Sequence, residues 1–532
     1  MNGEKNWPSV AQRSKPPNPV NDELKSTRQR TMATAGADPL FPPKTRAADQ
    51  GGVVVDGVCP EDGGADRLSD LPDHLLHRIL IRLPSTAAAE RTSVLSRRWR
   101  RVWLHLPELA LRYGGRDREP SSPCPRVDAA LAACAAPALD RLEIDLTWSD
   151  PRHVTAEHAS SWLDFASWRL AGELVLSLPL RSRSVKRDVV LPISERLTAI
   201  SLTSFGYALR FRAPLPSAAA GAFAALGSLT IGDARVDGRE LEDVVSSRCP
   251  RLKELALDHI IVEDRDHPVL SVRSASLERL RVRPMFNGDR LQVSTPELRA
   301  LDLPAGISCA AHIVAPKLSE VRWGKQSYDP SRHKLEEAGR HLRRLEVAAN
   351  SRAAGLMGRF DTADELTLNI SVSEGVDEYE RFLEDTNKVA KCEVLVVRFT
   401  QVMVHDFRPI LLHLLRKCGG IRKLVVQLGP ASSDYPCELP RCPCGLLHNH
   451  YPTYGVDVLG SLQEVQVEKG GEAHHKLELA GLLCRCKAIF QKKVFITIPV
   501  DKRNPLMRRR IDRVFLPNDD RVEVAIVEVA IP

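Results

Sequence analysis

Cys437, Cys442, Cys444, His448 and His450 place five potential metal ligands within fourteen residues, in the polar stretch Gly429–Tyr454. Tetrahedral zinc takes such side chains, usually from thiols two to four residues apart. Cys442-Pro443-Cys444 leaves a single residue between thiols, so these five are weak candidate ligands and a loop of free thiols is the expectation. His413 and Cys418 share a predicted helix around Pro409–Lys417, which reads as amphipathic packing rather than base and nucleophile. Asp361 and Asp364 read as a helix or turn start rather than acid–base equipment. The chain contains no Gly-rich phosphate loop, no HExxH, no GxSxG elbow and no GxGxxG after a strand. It is expected to be no enzyme, with no catalytic residue, no resident metal and no cofactor.

Composition narrows the class further. Hydrophobic residues at 43% and charged residues at 27% suit a folded protein, and 532 residues exceed a single ordinary core unless the chain is a repeat. The net charge of +7 is spread along the chain and aromatics make up only 5%, which argues against a nucleic-acid partner. Arg97-Arg98-Trp99-Arg100-Arg101 and Arg508-Arg509-Arg510 read as solvated helix faces. No window reaches the roughly 20 apolar residues of a membrane helix; Asp128–Leu139 comes nearest, and Pro137 breaks it. The opening MNGEKNWPSVAQRSK does not read as a secretory signal. With 12 cysteines, reduced thiols in the cytoplasm or nucleus are expected. Residues 1–66, rich in Pro, Gly, Asp and Lys, should be disordered.

The elements that carry function start at residue 67. Leu75, Leu76, Ile79, Leu80 and Leu83 form a stripe on a helix opened by Pro72 and Asp73 and stopped by Pro84. A second segment carries Val94 and Leu95, and a third carries Trp99, Val102 and Trp103. A cluster this small should complete its core against another polypeptide, which makes it a docking module.

The string Leu71-Pro72-x-x-Leu75-Leu76-x-x-Ile79-Leu80-x-x-Leu83-Pro84, followed by Thr92-Ser93-Val94-Leu95-Ser96-Arg97-Arg98-Trp99 and Trp103, closely resembles the F-box of plant F-box proteins. That resemblance implies binding to a Skp-type adaptor, and through it to a cullin–RING ubiquitin ligase. The adaptor-binding residues it implies are Leu71, Pro72, Leu75, Leu76, Ile79, Leu80, Leu83, Pro84, Leu95, Ser96, Trp99 and Trp103. One departure is the segment Thr86-Ala87-Ala88-Ala89-Glu90, alanine-rich between the helices where many relatives place an aspartate.

The rest of the chain repeats. The pattern apolar-x-x-apolar-x-apolar appears from Leu139, Leu197, Leu226, Leu252, Leu277, Leu298, Leu318, Leu342, Ile421 and Leu462. Weaker copies sit at Leu174, Leu366 and Leu395. Copies lie mostly about 20–30 residues apart, the period of leucine-rich repeats. Each unit reads as a strand followed by a helix, as around Arg239–Arg248, where Leu241, Val244 and Val245 share a face before Cys249-Pro250. Stacked units would form a parallel sheet, with Ala256, Asp258, Arg281 and Asp302 facing or flanking its open side.

This region resembles the irregular leucine-rich repeats of plant F-box proteins. Leu462–Val467, Gly470-Gly471, His474, a helix Leu479–Ile489 and Val494–Ile498 resemble the FBD region, expected to close the last sheet edge, and the alternation in Arg521–Ile531 reads as one more strand. The expected fold is thus an α+β or α/β repeat. It comprises a disordered 1–66, an F-box at 67–106, an irregular leucine-rich-repeat solenoid at 107–430, a Cys/His loop at 431–455 and an FBD-like cap at 456–532. The function implied is the substrate-recognition subunit of a Skp–cullin–F-box ligase binding an unknown target protein. A non-degradative scaffold and a small-ligand sensor are the alternatives.

Overall fold

The computed structural model describes residues 71–529, apart from 430–459 and shorter internal segments of one to ten residues. The segment 1–66 and the loop carrying Cys437, Cys442, Cys444, His448 and His450 lie outside the described residues.

All thirteen copies of the repeated pattern become strands of one sixteen-stranded parallel sheet, laid down in chain order from Glu108–Arg112 to Val522–Val529. The middle apolar residue of each copy stacks in register on the next. Leu255 sits beside Leu280, Leu280 beside Leu301, Leu301 beside Val321 and Val321 beside Leu345. Side chains alternate across a strand, so this ladder and the apolar position two residues on face one side. The intervening residues face the other. Leu255, Leu280, Leu301 and Leu345 are at most 1% exposed.

What covers that buried side differs from the expected strand–helix unit. Helices Ala156–Arg169, Val376–Asp385 and Phe407–Lys417 do lie between sheet strands. Between residues 188 and 336 the return path includes a short strand, giving two further four-stranded sheets: one of 188–262 and one of 269–336. Spacing explains the choice. Leu280, Leu301 and Val321 are 21 and 20 residues apart, too few for a strand, two turns and a long helix. Leu142 and Leu174 are 32 apart, and the intervening stretch holds the fourteen-residue helix Ala156–Arg169. Leu291, Val293, Ala311 and Ile313 of the back sheet join the main-sheet leucines in one continuous core.

The unit around Arg239–Arg248 begins as expected. Asp237 caps helix Gly238–Asp243 by accepting from Arg239 N at 2.9 Å and Glu240 N at 3.1 Å. The chain then widens into a π-helical turn, Val244–Arg248, that keeps Leu241, Val244 and Val245 buried.

At the C-terminal end, strands Glu464–Val467, Val494–Asp501 and Val522–Val529 extend the same sheet. The segment expected to close the edge therefore lengthens the sheet. Among the described residues, Val522–Val529 is the terminal strand, paired on one side only. Helix Ala473–Cys486 starts six residues before the expected Leu479, because Leu477 and Lys476 already pack inward. Among the described residues no helix is long and apolar enough to cross a membrane.

Candidate functional site

The helical module preceding the sheet is built from short pieces. Helix Asp73–Leu80 follows Pro72, whose carbonyl accepts from Leu75 N at 2.9 Å and Leu76 N at 3.2 Å. Asp73 in the first turn suits the positive end of the helix dipole. Its carboxylate accepts from Arg98 Nε at 3.0 Å, and the same guanidinium donates to the Leu71 carbonyl at 2.6 Å. Arg98 thereby ties the third segment to the start of the first, and holds the Asp73 carboxyl below its usual range. His77 Nε2 lies 3.0 Å from the Val102 carbonyl and joins the same two segments.

Thr86–Arg91, expected to be a connection between helices, is itself a helix. Ser85 caps it, accepting from Ala88 N at 3.3 Å, and three consecutive alanines favour the helical state. The alanine-rich departure thus has a structural use. Thr92–Val94 and Trp103–His105 are 3-10 turns flanking the four-residue helix Trp99–Val102, where Ser96 accepts from Trp99 N at 3.4 Å.

These pieces enclose a small core of their own, made of Leu76, Leu80, Ala89, Trp99, Val102 and Leu106. It is distinct from the core of the sheet. Of the twelve residues the sequence assigns to adaptor binding, Leu76, Leu80 and Trp99 are sealed inside it. Those three hold the helices together from within. Leu71, Leu83 and Trp103 are half-buried against the same cluster, and Leu75 and Ser96 are half-buried. Pro72, Ile79, Pro84 and Leu95 are exposed. Leu95 is 62% exposed, Ile79 40% and Val94 84%. Val94, which the sequence places beside Leu95 but outside the twelve, stands on the three-residue 3-10 turn Thr92–Val94.

The module is joined to the sheet by polar contacts. Ala110 N donates to Thr86 Oγ1 at 2.7 Å, and Arg112 donates to the Pro84 carbonyl at 2.7 Å. Arg112 also donates to the buried Glu143 at 2.8 Å on the neighbouring strand. Strand Glu108–Arg112, which carries no copy of the repeat, is the splice between the two parts.

Groups that could suggest chemistry elsewhere have structural partners. His413 Nε2 lies 3.0 Å from Thr386 Oγ1, and burial pulls the imidazole down to about 4. The neighbouring Cys392 and burial push the Cys418 thiol upward, so it stays a thiol at neutral pH. Asp361 and Asp364 stand at the start of strand Thr362–Val372, where Arg340 donates to Asp361 at 2.9 Å and His341 lies 3.3 Å from Asp364. They face basic partners on the preceding segment, so neither marks a helix start. Arg508, Arg509 and Arg510 are exposed on helix Pro505–Val514, whose buried face is Met507 and Ile511. Among the described residues no group of three or more His, Cys, Asp and Glu could hold a metal.

The open face of the sheet is strongly charged in its middle. Asp258 pairs with Arg281 at 2.9 Å and Arg283 at 3.4 Å, while Glu346 pairs with Arg322 at 3.1 Å and Arg398 at 3.3 Å. Toward the N-terminal side the corresponding positions are small: Ala199, Ser201, Ser228 and Thr230.

Residues 68–110 match the F-box domain family. Three relatives come from Arabidopsis thaliana. F-box protein At5g03100 is 28% identical over 45% of this chain and 70% of its own length. Putative F-box/LRR-repeat protein At3g28410 is 29% identical over 37% of this chain and 38% of its own. Putative FBD-associated F-box protein At5g56390 is 27% identical over 45% of this chain and 54% of its own. The chain thus spans most of one relative and about half or less of the other two. Residues 68–110 thus carry an F-box domain, spliced to a parallel sheet that follows the repeat, and the chain is similar to plant F-box proteins of the leucine-rich-repeat and FBD-associated kind.

Proposed function

We propose that this protein is the non-catalytic target-recognition subunit of a Skp–cullin–F-box ubiquitin ligase. On this reading the F-box docks on a Skp-type adaptor, and residues 107–430 form an irregular leucine-rich-repeat solenoid whose open face binds the target, with 456–532 as an FBD-like extension. The ligase then acts on a target held at high effective concentration near the charged ubiquitin enzyme, in the cytoplasm or nucleus.

The observation that carries the reading is the division within the F-box. Six residues give the module its own core, while Ile79, Val94 and Leu95 remain in solvent. Exposed large apolar side chains on so small a unit support a docking role. Burying each fully contributes about 1.5–3 kcal/mol, before association entropy is subtracted.

Ile79→Asp combined with Leu95→Asp should abolish co-purification with a Skp-type adaptor and leave circular dichroism and the melting temperature nearly unchanged. Leu76→Asp should instead unfold the module. Retention of adaptor by the Ile79/Leu95 double variant would overturn the reading.

A further inference from the structure

The two residues that follow the first apolar position of each repeat stand at the entrance to each strand. In four successive repeats these are Glu278-Arg279, Arg299-Ala300, Ser319-Glu320 and the start of Arg343-Arg344. The parallel register brings them side by side, with Arg279 beside Ala300 and Ala300 beside Glu320. Ala300 is short where its neighbours are long, and a cavity of about 420 Å³ opens there. That lies within the roughly 300–1,000 Å³ of pockets for small ligands.

Charge in this cavity is unevenly engaged. Three guanidiniums line it, from Arg279, Arg299 and Arg343, against two carboxylates, Glu278 and Glu320. Both carboxylates are already taken. Lys253 Nζ lies 3.1 Å from Glu278, and Arg343 pairs with Glu320. Arg279 pairs with Glu254 on the strand behind. Among the described residues Arg299 makes no ion pair and no side-chain hydrogen bond. Lys253, with help from Arg299 and Arg279, holds the Glu278 carboxyl below its usual range. The local field is therefore positive even with the acids charged, and a guanidinium fork matches carboxylate or phosphate oxygens two at a time.

We propose that this cavity is the specificity site of the open face and takes an anionic side chain, a phosphoryl group or a carboxylate, on an extended segment of the target. Arg299 is its principal donor, Arg279 and Arg343 flank it, and Ala300 is the floor that lets the side chain enter. The assignment rests on the target-binding reading above and names the class of target it implies.

The test uses the full chain and fluorescein-labelled decapeptide pools that are degenerate except at one central position, fixed as phosphoserine, glutamate, serine or lysine. Fluorescence anisotropy should rank phosphoserine, glutamate or both above serine by about tenfold, with lysine weakest. A preference confined to phosphoserine identifies a phosphorylated target; an equal preference for glutamate identifies an acidic one. Arg299→Gln should remove the preference, and so should Ala300→Leu, which fills the floor without changing charge. Pools that bind equally, lysine binding best, no pool binding, or a preference intact in Arg299→Gln would each overturn the proposal. Adaptor pull-down on the same samples separates the two readings. Loss of adaptor binding by the unsubstituted chain, with the peptide preference intact, would defeat the ligase reading and leave this site standing.

Discussion

At the scale of single residues, the polar groups the fold buries are its most condition-sensitive parts. Glu143 is 8% exposed and draws on Arg112 and Arg141, so the splice between F-box and sheet contains a carboxylate that depends on its cations. His413 is the opposite case, a half-buried base without an acid. An imidazole ordinarily titrates near 6.5; desolvation, then Lys417 and Arg416, pull His413 to about 4, while Thr386 opposes them. The unfolded chain takes up this proton near pH 6.5 and the folded chain resists it down to about 4. Protonation therefore favours unfolding: the folded state is unpenalised above pH 6.5 and loses stability as pH falls toward 4. Allowing for partial solvent screening, the loss is about 1–2 kcal/mol. His413→Gln should flatten that decline. Urea midpoints of both proteins at pH 7.5 and pH 5 check this, and equal drops in the two would refute the assignment.

At the scale of elements, the sheet was legible and its backing was not. A leucine followed three and five residues later by apolar side chains fixes both a strand and the side it buries, because the side-chain period along a strand is two. Hence Leu277, Leu298 and Leu318 each announced a strand that the fold contains. The back strands, such as Arg290–Ser294 and Ala310–Val314, are five residues long and adjoin turns, so they offer one alternation at most. Only the interval between repeats could have disclosed them, since about 20 residues leave no room for a long helix. In the F-box, the stripe marks five positions as apolar but cannot divide them. Whether Leu76 or Ile79 meets solvent depends on where Trp99 and Val102 return, which is tertiary information. Glycine 172 illustrates a constraint of the same order. A Cβ there would run into the Asp140 carbonyl oxygen on the neighbouring strand, so Gly172 permits the close approach of Leu170–Ser177 to Leu139–Asp145 where their register shifts. Gly172→Ala should destabilise the protein by about 1–3 kcal/mol, read as a lower melting temperature. Gly481→Ala is the control: nothing lies within 4 Å of its added Cβ, so it should be neutral or stabilising.

At the scale of the whole molecule, the order of the strands decides how the fold comes apart. Each strand of the main sheet pairs only with the main-sheet strands before and after it in chain order, so cooperativity passes from neighbour to neighbour along one line. The middle is braced twice. Strands Arg279–Val282, Ala300–Leu303 and Glu320–Trp323 bond within the main sheet, and the chain between them bonds within the back sheet of 269–336. The terminal strand has neither advantage: it pairs on one side among the described residues, and Val522, Val524 and Ile526 on its inner face are only half-buried. Opening should therefore be cheapest at Val522–Val529 and dearest around Leu280 and Leu301. Native-state hydrogen exchange should follow that gradient. Two substitutions sharpen the test. Ile526→Ala should speed exchange in the last two strands and leave the centre unchanged. Leu301→Ala removes a side chain that is 1% exposed and should cost about 2–5 kcal/mol. Because both flanks are registered on that strand, exchange should accelerate from Glu254–Asp258 through His341–Ala349 while the F-box, with its separate core, keeps its protection. Uniform acceleration across the chain in both variants would mean that the sheet and F-box unfold as one unit, and that the linear picture is wrong.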